Sequence, residues 1–156
     1  MNFGQYLEFL KKEKFSSIII YSKSHRALSK FSQQAVVKHK GKYLDLLNYF
    51  IQHSELAKGI DVFKMEDLLS LLKKEAVGQS LLFVDKMDFL LDTWRDDEKK
   101  AFYRLLQNQW NSFLEDMKAG LVICLRTNNF LENKLKIVDT KGNSRVHKLS
   151  NFKAID

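Results

Sequence analysis

The 156-residue chain contains no proline and a single cysteine, Cys124. Without proline, a low-complexity tract or a detectable repeat, nothing marks an internal linker, so the sequence predicts one domain over residues 1–156. One cysteine excludes an internal disulfide, and a structural zinc site needs about four Cys or His ligands in paired spacing. The four histidines have no metal-binding spacing, and no G-x-S-x-G motif is present. The sequence therefore gives no support for a zinc protein or a serine hydrolase.

Long apolar runs are also missing. No run approaches the roughly 18 residues that a membrane-spanning helix needs. The opening MNFGQYLEFLKKEK places its lysines after the apolar residues, which is the reverse of a secretory signal. Hydrophobic residues make up 45% of the chain and charged residues 29%, a balance typical of globular domains. We therefore expect a cytoplasmic protein with no membrane partner.

Acidic residues are absent between Glu13 and Asp45. The net charge is +7, and residues 1–60, with ten Lys or Arg against four acids, account for +6 of it. Such a segment favours a polyanion, and no base-reading motif is present, so one hypothesis is sequence-independent binding of DNA or RNA. The alternative is an ordinary solvated helix face. The segment begins with Lys14, and the candidate nucleic-acid-binding residues are Lys23, Arg26, Lys30, Lys38, Lys40 and Lys42.

Short apolar runs alternate with longer amphipathic ones. Buried strands are predicted for SSIIIYS, SLLFVD and GLVICL. KYLDLL is either a short strand through Asp45, which we favour, or the start of a helix running to Leu56. Apolar residues at helical spacing predict helices in NFGQYLEFLKKEK, HRALSKFSQQAVVKH, FKMEDLLSLLKKEA and the segment that begins DDEKKAFYRLL. Residues 134–149, KLKIVDTKGNSRVHKL, predict a C-terminal β-hairpin around Lys141, Gly142 and Asn143. Connections too long for hairpins elsewhere indicate an α/β domain whose mostly parallel sheet is flanked by helices.

Asp85 stands at the end of the best strand, where parallel sheets build their sites. Four hydrophobic residues followed by Asp is the pattern by which P-loop NTPases hold magnesium near the phosphates of a nucleotide. The order along the chain agrees: a first strand followed by a basic helix, a middle strand ending in Asp85, and a later strand ending in Thr127 and Asn128. From about Phe15 to Leu149 the chain therefore resembles a P-loop ATPase domain of the AAA+ and RecA-like branch.

Within that superfamily, FVDKMDFLLD, FYRLLQNQW and the terminal hairpin are most similar to the small P-loop protein of bacteriophage-exclusion (BREX) defence systems. The resemblance implies magnesium ATP as the ligand and Asp85 as the metal-binding residue. It implies Asp88 as the catalytic base and Asn128 as the sensor of the terminal phosphate. The nucleotide-binding residues that it implies are Ser24, Arg26, Ser29 and Lys30.

The phosphate-binding loop departs from the family pattern. A working loop has G-x-x-x-x-G-K-[ST] after the first strand, whereas SKSHRALSKF, residues 22–31, contains no glycine. With Ser22 in the first glycine position, Ser29 takes the place of the magnesium-binding hydroxyl and Leu28 replaces the lysine. With Ser24 in that position, Lys30 matches the lysine and Phe31 replaces the hydroxyl.

The position after the magnesium aspartate also departs from the pattern, because the usual glutamate is Lys86, whose charge would repel a cation. We therefore expect a degenerate, non-hydrolysing P-loop ATPase-like protein. Its expected role is that of an accessory or assembly subunit of a multiprotein complex, with phage defence as the setting that the resemblance implies. The two alternatives are the nucleic-acid-binding protein described above and an active magnesium-ATP-dependent ATPase with an unusual loop.

Overall fold

The computed structural model describes residues 1–12, 17–108, 119–126 and 144–155. This part of the chain is an α/β structure with a five-stranded sheet flanked by helices, which confirms the predicted fold class. The strands are β1 (Ser17–Ser22), β2 (Lys42–Asp45), β3 (Leu81–Asp85), β4 (Gly120–Arg126) and β5 (Val146–Lys148). The α-helices are α1 (Phe3–Lys12), α2 (His25–His39), α3 (Leu46–Gln52), α4 (Ser54–Lys58), α5 (Met65–Ala76), α6 (Asp88–Leu91) and α7 (Asp96–Asn108).

The sheet has the order β2-β3-β4-β1-β5, and every neighbouring pair is parallel. The carboxyl ends of the strands therefore meet at one edge, where Asp45 is in register with Asp85 and Ser22 with Arg126. From β1 the chain moves to β2 on one side, and from β4 it moves to β5 on the other. The adjacent ends of β1 and β4 thus form the switch point at which open α/β sheets bind ligands.

Alternate residues of each strand pack on opposite faces of the sheet. Leu81 and Phe83 of β3 join Ile18 and Ile20 of β1 in a core with α1 and α2. The intervening residues, such as Leu82 of β3, pack against α3, α5, α6 and α7 on the other face. Because both faces are covered, the strands consist of nearly uninterrupted apolar residues, as predicted. By the same alternation Asp85 lies on the face that packs against α2.

The connection from β1 to α2 is short. β1 ends at Ser22 and α2 begins at His25, so only Lys23 and Ser24 lie between them. Ser24 caps the helix: its Oγ accepts from the N–H of Ala27 at 3.1 Å, while its own N–H donates to the Oγ of Ser22 at 3.1 Å. Both bonds hold the chain in an immediate turn from strand to helix.

The predicted helices and strands are confirmed within the described ranges. The turn and the first arm of the predicted C-terminal hairpin lie outside them, and the second arm is β5, which pairs in parallel with β1. Within the ranges given above, no helix has both the length and the apolar composition that crossing a bilayer requires.

Candidate functional site

Asp85 is fully buried at the tip of β3 and accepts hydrogen bonds from three donors. The Oγ of Ser29 and the OH of Tyr43 each donate to its Oδ2 over 2.6 Å. The N–H of Lys86 donates to its Oδ1 over 2.9 Å. The predicted metal-binding residue therefore joins α2, β2 and β3, because Ser29 lies on α2 and Tyr43 on β2.

Tyr43 is held in its protonated form by this arrangement. Burial raises the pKa of its phenol far above the ordinary value, and the hydrogen bond to Asp85 and the charge of that carboxylate raise it further. The hydroxyl is consequently a permanent donor to the carboxylate at physiological pH. A neutral donor of this kind occupies a position from which a cation would otherwise reach Oδ2.

Lys86 follows Asp85 in the left-handed conformation, with φ of 58°. Its side chain turns toward β2, where its Nζ donates to Oδ2 of Asp45 over 3.0 Å. The other carboxylate oxygen of Asp45 accepts from the N–H of Asn48 and caps α3. The ammonium group that we expected beside a magnesium site therefore neutralises a second carboxylate at the same sheet edge.

Asp88, the predicted catalytic base, begins the short helix α6 and connects β3 to β4. Its Oδ1 accepts from the N–H of Arg126 over 3.1 Å, whereas its buried Oδ2 has no hydrogen-bond partner among the described residues. Burial raises the pKa of Asp88, and the N–H of Arg126 and the nearby imidazole of His25 oppose that rise. The Nδ1 of His25 is also buried without a described partner.

A phosphate-binding loop does not exist between β1 and α2. Under the alignment that starts at Ser22, the loop positions from His25 onward lie within the helix, and Leu28, in the place of the lysine, is fully buried. Ser29 of that alignment reaches Asp85, whereas Lys30 of the second alignment is exposed. Side chains one position apart on a helix point about 100° away from each other, so Ser29 and Lys30 do not converge on one ligand.

The other predicted nucleotide-binding residues lie apart from Asp85. Ser24 caps α2, and Arg26 is exposed on the helix surface. Asn128, the predicted sensor, and Thr127 lie outside the described residues. In the part of the chain that the structure describes, no group of three or more His, Cys, Asp or Glu side chains is placed to hold a metal ion.

Five of the predicted nucleic-acid-binding residues are exposed; they are Lys23, Arg26, Lys30, Lys38 and Lys40. The sixth, Lys42, is partly buried, and its Nζ forms an ion pair with the carboxylate of Glu75. Lys14 lies outside the described residues. Cys124 is buried within β4 beside Ser32, and burial raises the pKa of its thiol, so it provides no nucleophile.

Three participants in the site were not predicted: Tyr43, the ion pair of Lys86 with Asp45, and the unpartnered ring nitrogen of His25. A signal for Tyr43 was present in the sequence, because the period of two in KYLD places Tyr43 on the same strand face as Asp45. The register of β2 against β3, which brings Asp45 beside Asp85, cannot be predicted from one amino-acid sequence.

No protein-family model matches the chain, and no curated protein and no solved structure matches it significantly.

Proposed function

We propose that the chain is a P-loop ATPase-like domain that does not hydrolyse ATP and serves as a non-catalytic subunit of a multiprotein complex. The observation that carries the proposal is the two-residue connection from Ser22 to His25. A loop that encloses phosphates needs several successive N–H groups that turn inward around them. Here a capped helix occupies those positions, so the cradle is replaced by regular structure.

The surroundings of Asp85 support the same proposal. A magnesium ion would need free oxygens on this carboxylate, since hard cations bind oxygen ligands. Both oxygens instead accept hydrogen bonds, and Oδ2 accepts two. The ammonium group of Lys86 also lies at this edge, on Asp45. Through these hydrogen bonds the carboxylate connects α2 and β2 to β3.

The arrangement of the strands around Asp85 also supports the proposal. An acid at the tip of β3 is bonded to a hydroxyl on the helix that follows β1, and β4 lies between β1 and β3. These are the elements on which the resemblance to P-loop ATPases depends. A domain that retains this scaffold without its phosphate loop is suited to assembly with other subunits.

An ATPase assay on the full chain tests the absence of hydrolysis. We expect no magnesium-dependent turnover above that of the Asp85→Asn variant, and no rise in melting temperature at millimolar magnesium ATP, since any ligand that binds only the folded state raises that temperature. Turnover of several ATP per minute that disappears in Asp85→Asn would overturn the proposal. Equal turnover in both proteins would identify a contaminant and leave the expected result in place.

The subunit role is tested by affinity purification of the full chain from its native host at low salt. We expect a stoichiometric protein partner, and the similarity to phage-exclusion proteins suggests a defence ATPase or methyltransferase. Leu47 and Ile51 are exposed one helical turn apart on α3, which makes Leu47→Lys/Ile51→Lys the first variant to compare. Val62→Lys/Val77→Lys, at two other exposed apolar positions, is the control with the same change in net charge. Recovery of the chain without a stoichiometric protein partner contradicts this role.

A further inference from the structure

We propose that the solvent-facing side of α2 binds the phosphodiester backbone of a nucleic acid, independently of base sequence. Arg26, Lys30 and Lys38 are exposed on this helix, and Lys23 and Lys40 flank it. We define these five side chains as the α2 basic surface. It does not depend on the proposed subunit role, because it lies on the outer side of the helix, away from Asp85.

The cations of the α2 basic surface are free within the described structure. None of the five side chains forms an ion pair or hydrogen bond with another described residue. Lys42 differs, because its ammonium group is paired with Glu75, and we exclude it from the surface. Unpaired cations on one helix produce a positive field that an acidic neighbour would otherwise cancel.

The charges along α2 do not follow the pattern that helix stability favours. Acidic residues near the N-terminus of a helix interact favourably with its dipole, and α7 has Asp96, Asp97 and Glu98 in its first turn. The first turn of α2 contains no acid and instead contains Arg26. A cation in this position lowers the stability of the helix. Binding to a polyanion would explain why Arg26 is there.

The dimensions of the surface fit a nucleic-acid strand. Arg26 and Lys38 are twelve positions apart, which is about 18 Å along a helix and about five phosphates of one B-form strand. Gln34, between them, is exposed and can donate hydrogen bonds to phosphate oxygens. No aromatic side chain is exposed on α2, which favours contact with phosphates over stacking on bases.

The test compares two variants with the same change in net charge. In the first, Arg26, Lys30 and Lys38 are each changed to Gln. In the control, Arg104, Lys74 and Lys100 are changed to Gln; these are exposed on α5 and α7, on the opposite face of the sheet. Binding of a single-stranded oligothymidylate, a mixed-sequence duplex and a poly-glutamate of equal charge is measured by fluorescence anisotropy against salt concentration.

We expect the α2 variant to lose about 0.9 from the salt slope per lost contact on duplex DNA and about 0.7 on a single strand. Between about 50 and 200 mM salt, three lost contacts make the wild-type affinity fall about 40-fold more than that of the variant on duplex, or about 20-fold more on a single strand. The affinity for each of the two probes also shows whether the duplex or the single strand is preferred. The control variant should keep the wild-type slope.

Equal slopes for the wild type and the α2 variant would overturn the proposal. An equal reduction in the control would overturn it as well, since the effect would then come from net charge alone. Poly-glutamate binding as tight as oligonucleotide binding would identify an acidic protein as the partner in place of nucleic acid. Circular dichroism and melting temperature show whether both variants keep the helix content and stability of the wild type, and single changes of Arg26 and Lys30 replace the triple variant if it does not.

Discussion

The Oγ of Ser29 lies 2.6 Å from Oδ2 of Asp85, in a hydrogen bond between residues 56 positions apart. It connects the helix that follows the first strand to the tip of the third strand. Tyr43 donates to the same oxygen from β2, so one carboxylate oxygen joins three elements. This arrangement gives Asp85 a structural role that its position at a strand end alone would not reveal.

Replacement of Asp85 by Ala should lower the free energy of unfolding by about 3 kcal/mol, because two partly buried hydroxyls and one N–H would lose their acceptor. Asp85→Asn keeps one acceptor oxygen and should cost less. Urea denaturation at neutral pH measures both values. A change below about 0.5 kcal/mol for Asp85→Ala would show that the carboxylate does not hold the elements together.

Tyr43→Phe should lower the free energy of unfolding by about 1.5 kcal/mol, since it removes one hydrogen bond to a carboxylate while the ring stays in place. Tyr49→Phe is the control, because the ring of Tyr49 stacks on His53 and its hydroxyl has no described partner. Denaturant titrations of the two variants side by side make the comparison. Equal losses would contradict the role given to the Tyr43 hydroxyl.

At position 86, a glycine should give a more stable protein than an alanine, which is the reverse of the usual order. The φ of 58° at Lys86 strains any residue with a Cβ by about 1 kcal/mol, and glycine relieves that strain. Lys86→Gly should therefore be more stable than Lys86→Ala by up to about 1 kcal/mol, although both lose the ion pair with Asp45. At Arg104, an exposed position in the interior of α7, the order should be the ordinary one, with Ala more stable than Gly. A preference for Ala at both positions in thermal unfolding would be inconsistent with the strained backbone.

Asp88→Asn should stabilise the protein at neutral pH. Burial raises the pKa of Asp88 above 3.8, so the folded state retains a proton that the unfolded state releases, and stability falls as pH rises through that interval. The Asn side chain keeps an acceptor for the N–H of Arg126 and removes the buried charge. The gain should stay below about 1 kcal/mol because the carboxyl is partly accessible to solvent.

Unfolding curves from about pH 3.5 to pH 7 check this expectation. The difference between the two proteins should grow as pH rises, and Asp92→Asn, at an exposed neighbouring carboxylate, should show a smaller effect. A loss of stability for Asp88→Asn at pH 7 would indicate that the charge is required by the fold.

His147 should make stability decrease in mild acid. Its Nε2 lies 2.8 Å from the OH of Tyr6, and burial lowers its pKa below 6.5. The unfolded chain therefore takes up a proton near pH 6.5 before the folded protein does, and stability is lost as pH falls from there through the lower folded-state pKa. His147→Gln should flatten this part of the melting-temperature profile, whereas His53→Gln, at an exposed histidine, should retain it. Parallel profiles for His147→Gln and the wild type would refute the assignment.

Much of the fold follows from local patterns. The uninterrupted apolar run of β3 indicates a strand that is buried on both faces. The three- and four-residue spacing of Leu28, Phe31 and Ala35 indicates a helix, α2, that is buried on one face. The helix predicted for HRALSKFSQQAVVKH begins at His25, as α2 does, although SKSHRALSKF is also the segment that was compared with a phosphate-binding loop. Ser24 is a good N-cap, and this signal was present in the sequence.

The candidate site could be predicted only in part. Asp85 at a strand end and Ser29 after the first strand were identified from their order along the chain. The hydroxyl of Tyr43 and the ion pair between Lys86 and Asp45 depend on the register of β2 against β3, which is a long-range property. The left-handed turn at Lys86 redirects its side chain away from Asp85, and no local pattern indicates that turn.

The burial of Leu28 limits how this chain could be altered to bind a triphosphate. A lysine at this position, which a G-x-x-x-x-G-K-[ST] loop beginning at Ser22 would require, would insert its charge into the apolar core beneath the helix. Point substitutions alone would therefore not create a triphosphate pocket between β1 and α2. Such a pocket would require extra residues inserted between Ser22 and His25, ahead of the helix.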